Sequence, residues 1–188
     1  MIIDIDSTES LKNATLILKK GGVLIFPTDT VYGIGCALKK SAIRKLYKIK
    51  NRPATQPTAV LMNRNIFDSK REKVLEFDYD LENNFYGGVL TIVDSAANYA
   101  TVFPKMILSS DNKIGVRLPQ HAWLEELIDK VGPIVATSAN KKGYRPPSKF
   151  ADIQSQIIKE ADLVIQTDET LAGTPSQIYD LENKKYLR

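Results

Sequence analysis

The sequence predicts a single α/β domain over residues 1–188. Three observations carry this reading. Stretches with apolar residues at helical spacing alternate with short apolar runs of strand length. No repeat or low-complexity tract interrupts them. A balance of 43% hydrophobic to 26% charged residues is globular, in a chain long enough to bury one substantial core.

The elements follow in chain order. Ser7 is placed to cap a helix to about Lys20, with Leu11, Ala14 and Leu18 at helical spacing and Gly21-Gly22 as the stop. Val23–Phe26 reads as a buried strand ended by Pro27. Ser41 is placed to cap a second helix to about Lys50, closed by Pro53. Thr58–Met62 reads as a strand, and Asp80–Phe85 as a short helix before Gly87-Gly88. Val89–Val93 and Ile114–Leu118 read as strands separated by a long polar loop. Ala122–Val131 is a helix with Trp123, Leu127 and Ile128 on one side, and Ile134–Ser138 a strand. Ser148 is placed to cap a helix through about Lys159. Leu163–Gln166, Gln177–Leu181 and the last few residues read as strands.

Composition excludes several classes. One cysteine, Cys36, excludes an internal disulfide, and one histidine, His121, leaves no Cys/His set for structural zinc. The longest aliphatic or aromatic run, Val23–Phe26, is far below a membrane span. MIIDIDSTES carries acids where an export signal carries Lys or Arg, so a soluble cytoplasmic protein with no membrane partner is expected. The net charge is +4 and the pI about 9.0. Seven basic residues and no acid fall between Lys39 and Arg52, which is either a solvated face or an anion-binding one.

No phosphate-binding P-loop, complete dinucleotide fingerprint, serine nucleophile elbow or zinc-protease motif is present. Four local features remain. In FPTDTVYGIG, an extended chain would point Thr28, Thr30 and Tyr32 to one side beside glycines; a simple turn is the other reading. In the second predicted helix, Ile43, Leu46, Tyr47 and Lys50 share one face. Lys50 therefore either snorkels or, with Arg52, addresses an anion in a cleft. In IGVRLP, Ile114, Val116 and Leu118 alternate inward, leaving Gly115 and Arg117 on the other face, where a guanidinium fork suits a carboxylate. In IVATSAN, Ser138 and Asn140 project together from the end of a strand, or form a polar turn. Hydroxyls, two cationic clusters and amide donors without an evident nucleophile, metal cage or histidine base suit the orientation of anionic reactants.

FPTDTVYGIG, KIKNRP, GGVLT, IGVRLP, ATSAN and GTPSQIYD, in this order and spacing, resemble the threonylcarbamoyl-AMP synthase family (TsaC/YrdC) from about Val23 to Arg188. The resemblance implies a twisted open mixed sheet with flanking helices around a positively charged cavity. There L-threonine, bicarbonate or CO2 and ATP, with Mg2+, would form threonylcarbamoyl-AMP and pyrophosphate. No tightly bound, protein-ligated metal is expected. The product would pass to downstream threonylcarbamoyl-transferase machinery for tRNAs reading codons that start with A, and a contact with tRNA itself is a further expectation. Carried onto this chain, Thr30, Tyr32, Arg117, Ser138 and Ser176 would face threonine. Lys50, Arg52, Gln56, Lys113, Asn140, Ser148 and Arg188 would face ATP, with Lys50, Arg52, Ser138 and Asn140 at the reacting groups. A backbone contact at Lys113 would not depend on its side chain.

Two departures stand out: Leu61 replaces a histidine common in the family, and Tyr86–Thr91 lacks two usual prolines. The short form, without the long additional C-terminal domain of some family members, is expected, and any lid over the site is then expected from elsewhere in the chain or from mobile loops. The alternatives are an RNA-binding module of the same fold, or a carbamoyl-adenylate-handling domain like that of hydrogenase maturation proteins. A pure RNA binder would need neither Arg117 nor the Thr30/Tyr32 set, and would show a steep salt dependence.

Overall fold

The computed structural model describes residues 1–53, 56–73, 75 and 77–188. In chain order its elements are β1 (Ile2–Asp4), α1 (Ser10–Lys19), β2 (Val23–Phe26), β3 (Gly33–Ala37) and α2 (Lys40–Ile49). β4 (Ala59–Leu61), α3 (Arg64–Lys70), α4 (Tyr79–Tyr86), β5 (Leu90–Ser95) and β6 (Lys113–Arg117) follow. The chain continues through α5 (Ala122–Val131), β7 (Ile134–Ser138), α6 (Ser155–Glu160), β8 (Leu163–Gln166), β9 (Gln177–Asp180) and β10 (Lys185–Tyr186).

Among the described residues, ten strands join one open mixed sheet in the order β1-β8-β2-β3-β7-β4-β6-β5-β9-β10. β8 pairs parallel with both β1 and β2, and β4–β6 and β5–β9 are also parallel, while the remaining neighbours are antiparallel. Both faces are covered. Ala14 and Leu18 of α1 meet Leu124, Leu127 and Ile128 of α5 over Leu24, Leu163, Ile165 and Ile134. On the other face Ile43 and Leu46 of α2, Phe67 of α3, Phe85 of α4 and Ile157 of α6 cover Val23, Ile25, Ile34, Val60 and Val116. This two-sided burial explains why VLIF reads as a continuous apolar run. Each fully buried leucine or isoleucine contributes about 2 kcal/mol relative to exposure. Among the described residues no helix is long and apolar enough to cross a membrane.

Three serine caps are not formed. α1 begins three residues after Ser7, because the Ser10 hydroxyl donates to the Ile5 carbonyl at 2.8 Å and ties the entry turn back to β1. Ser41 lies inside α2, which starts after Lys39 with no side-chain cap. Ser148 is held through its carbonyl, which accepts from Leu171 N at 3.0 Å, so the chain makes a 3-10 turn at Phe150–Asp152 before the short α6. Two helices are capped by side chains instead: Asn63 accepts from Ile66 N and Asp78 from Leu81 N, both at 2.9 Å. The strand reading missed β1 and β3. β3 is GIGCA, whose glycines look like a loop, yet a Cβ on Gly35 would lie 2.7 Å from the Val135 carbonyl of β7. There glycine permits close strand packing.

Candidate active site

Strand register builds the site. Cross-strand partners point to the same face, so Phe26, Gly33 and Ser138 form one row across β2, β3 and β7. Leu61, Arg117, Thr91 and Ile178 form another across β4, β6, β5 and β9. Both rows open on the α1/α5 side, where a cavity of about 460 Å³ lies over the middle of the sheet. Its described lining includes Arg52, Arg117, Arg188 and Gln56, together with Thr28, Thr30, Thr58, Thr91, Thr137, Ser138 and Ser176. No acid, lysine, histidine or cysteine is among those lining residues.

Of the three lining arginines, Arg117 is the one paired with a carboxylate among the described residues. Its Nε donates to the Gly88 carbonyl at 2.9 Å and its Nη2 to Asp29 Oδ1 at 2.7 Å. Burial lowers its pKa, with the Asp29 carboxylate opposing and Arg188 adding to the fall. Arg188 donates to the Ser176 carbonyl at 3.0 Å, and the Ser176 hydroxyl lies 2.8 Å from that of Thr91. Thr28 organises the bend before β3. Its hydroxyl accepts from Thr30 N and Val31 N at 3.1 and 3.2 Å, and lies 3.0 Å from the Thr30 hydroxyl.

This bend corrects the extended reading of FPTDTVYGIG. Thr28 and Thr30 line the cavity, but the Tyr32 ring is fully buried and its hydroxyl bonds the backbone of Thr167, accepting from the nitrogen at 3.0 Å. Lys50 and Arg52 also part company. Asn51 adopts a left-handed conformation, φ 47°, at the end of α2, and Arg52 N bonds the Tyr47 carbonyl at 2.9 Å. Arg52 turns to the cavity and donates to the carbonyls of Gln56 and Pro57. Lys50 stays buried and donates to the backbone carbonyls of Ser138, at 2.6 Å, and Asn140. Neither snorkelling nor an open cleft describes it. Burial first, then the charge of Arg52, lowers the Lys50 pKa to about 8.

Ser138 reaches the cavity and donates to Asn140 Oδ1 at 2.5 Å; Asn140 is buried behind it, its amide nitrogen on the Tyr144 carbonyl. Lys113 sits four residues before Arg117, about 13 Å along the strand. Its ammonium is held by Asp180 at 3.0 Å and Glu182 at 2.8 Å, away from the cavity lining. Ser148 lines a second cavity of about 790 Å³ with Tyr144, Arg145, Asp152 and Gly173. Leu61 forms part of the cavity floor beside Arg117. The sequence reading passed over Asp29, Gly88 and Thr91, which lie within the FPTDTVYGIG and GGVLT motifs and whose roles appear only once Arg117 is placed.

The Sua5/yciO/yrdC family model, described as telomere recombination, matches residues 16–188. The chain is 29% identical over 191 aligned positions to a threonylcarbamoyl-AMP synthase of Hydrogenovibrio crunogenus, covering 95% of this chain and 97% of that protein. It is 33% identical over 135 residues to the Homo sapiens threonylcarbamoyl-AMP synthase, covering 71% of this chain and 47% of that one. The crystal structure of Pyrococcus abyssi Sua5 complexed with L-threonine superposes with a TM-score of 0.84 at 26% identity, over 97% of this chain and 54% of that one. The chain therefore spans about half of the human and P. abyssi proteins and nearly all of the H. crunogenus one.

Proposed function

Because the chain belongs to the Sua5/YciO/YrdC family, we propose that it is an L-threonylcarbamoyladenylate synthase, a nucleotidyltransferase that joins L-threonine, bicarbonate or CO2 and ATP. One observation carries the reading most: a cavity lined by three arginines and several serines and threonines, with no carboxylate, lysine, histidine or cysteine beside them among its described lining residues. Such a site suits orienting reactants and stabilising charge.

In this mechanism Arg117 holds the threonine carboxylate, and Thr30, Ser138 and Ser176 accept or donate around its polar atoms. The neutral threonine amine adds to CO2 with release of a proton to water, or to bicarbonate with loss of water, giving a carbamate. A carbamate oxygen attacks the α-phosphorus of ATP and pyrophosphate leaves. Arg52 and Arg188, with the Gln56 amide, meet the negative charge that spreads over the phosphate oxygens. ATP would enter as its Mg2+ complex, the metal belonging to that substrate and supplying charge neutralisation to the phosphates. Lys50 acts through Ser138 and Asn140, whose carbonyls it holds. The product passes in the cytoplasm to a transferase acting on tRNA.

Pyrophosphate release tests this reading. It is expected only when ATP, L-threonine and bicarbonate are all present. ATP hydrolysis at full rate without threonine would refute it.

A further inference from the structure

The Arg117 guanidinium is gripped along one edge. Its two hydrogen bonds, Nε to the Gly88 carbonyl and Nη2 to Asp29 Oδ1, both use the Nε–Nη2 side of the fork. The side chains are 9% and 15% exposed, so the ion pair is little screened. Arg117 lines the cavity, and among the described residues its Nη1 makes no hydrogen bond. Gly88 suits the arrangement as a glycine only. Its φ is +80°, and a Cβ there would lie 2.7 Å from Asp29 Oδ2. The turn after α4 thus brings a carbonyl to Arg117 while leaving room for the carboxylate beside it.

We propose that Asp29 and the Gly88 carbonyl are a positioning pair that fixes the Arg117 guanidinium, leaving its Nη1–Nη2 end as the fork presented to a substrate carboxylate. This rests on the reading of Arg117 as the threonine clamp. A guanidinium aimed before binding loses less rotamer freedom when the ligand arrives. Asp29 also balances the arginine's charge, so recognition depends on two-pronged geometry more than on attraction of any anion.

The test is the KM for L-threonine in the full chain. Asp29→Asn is expected to raise it about tenfold or more, while kcat at saturating threonine and the KM for ATP change by less than about threefold. Arg117→Lys raises the threonine KM as well, and the double variant is no worse than Arg117→Lys alone, because both act through one guanidinium. An unchanged threonine KM in folded Asp29→Asn, or fully multiplicative effects in the double variant, overturns the proposal. Should the Asn variant not fold, Asp29→Glu keeps the charge but displaces the carboxylate by one methylene, and the same two results decide. Threonine binding by the wild type in calorimetry without pyrophosphate release would sink the synthase reading and leave this one standing. No threonine binding by the wild type would sink both.

Discussion

Replacing Lys50 by Met sets two large effects against each other. The ammonium donates to the carbonyls of Ser138, at 2.6 Å, and Asn140, and the substitution leaves both without that partner. Each loss costs about 1–3 kcal/mol, so about 2–6 together. In the other direction, burial and then the charge of Arg52 lower the lysine pKa from 10.5 to about 8, which corresponds to a penalty on the order of 3 kcal/mol that Met would relieve. The net lies between about 1 kcal/mol of stabilisation and about 3 of destabilisation, or at most about 10 °C of Tm. Stability alone therefore separates the possibilities poorly, and rate separates them well. Releasing the two carbonyls frees the Ser138–Asn140 turn, and a misplacement of about 1 Å at a reacting site costs about 10²-fold in turnover. Pyrophosphate release should fall by about that factor, and amide hydrogen exchange at residues 139–141 should quicken. The pH dependence gives a third check. Between about pH 8 and 10.5 the unfolded lysine binds more protons than the folded one, so wild-type stability rises with pH across that window relative to the Met variant. Turnover within threefold of wild type together with unchanged exchange would refute the clamp.

Two further substitutions probe residues whose side chains lie outside the cavity lining. Tyr32→Phe removes the hydroxyl bonds to Thr167, at 3.0 and 3.3 Å, and should cost about 1–2 kcal/mol in denaturant unfolding with the threonine KM unchanged; a selective rise in that KM would return Tyr32 to the binding site. Burial raises the Asp180 pKa, but bonds from Asn183 and Lys113 outweigh it and hold the value at about 2, below the ordinary 3.8. Its contribution to stability is thus present above about pH 4 and lost as pH falls toward 2, so acid melts of Asp180→Asn should show a shallower loss than wild type over that window. Identical acid slopes would show that the Lys113–Asp180 pair carries none of it.

Local pattern determined much of this protein. Val23–Phe26, Ile134–Ser138, Leu163–Gln166 and Ala122–Val131 have the bounds read from the sequence, because apolar period and turn residues act over a few residues. The alternation in IGVRLP likewise placed Arg117 opposite Ile114 and Val116, which are fully buried on the other face. The motif order in the chain pointed to the family and to most of the cavity: Thr30, Arg52, Gln56, Arg117, Ser138, Ser176 and Arg188 all line it. Tertiary structure decided the rest. Whether Ser148 caps a helix depended on a partner farther along the chain, Leu171, whose nitrogen bonds the Ser148 carbonyl. Whether Lys50 met an anion or a carbonyl depended on β7 ending beside α2, 88 residues later in the chain. Asp29 became meaningful only because the sheet order sets β6, two turns and a bend against one another. A side chain's direction is fixed by local backbone period, but what it meets there is fixed by strands that are remote in sequence, and that information is not local.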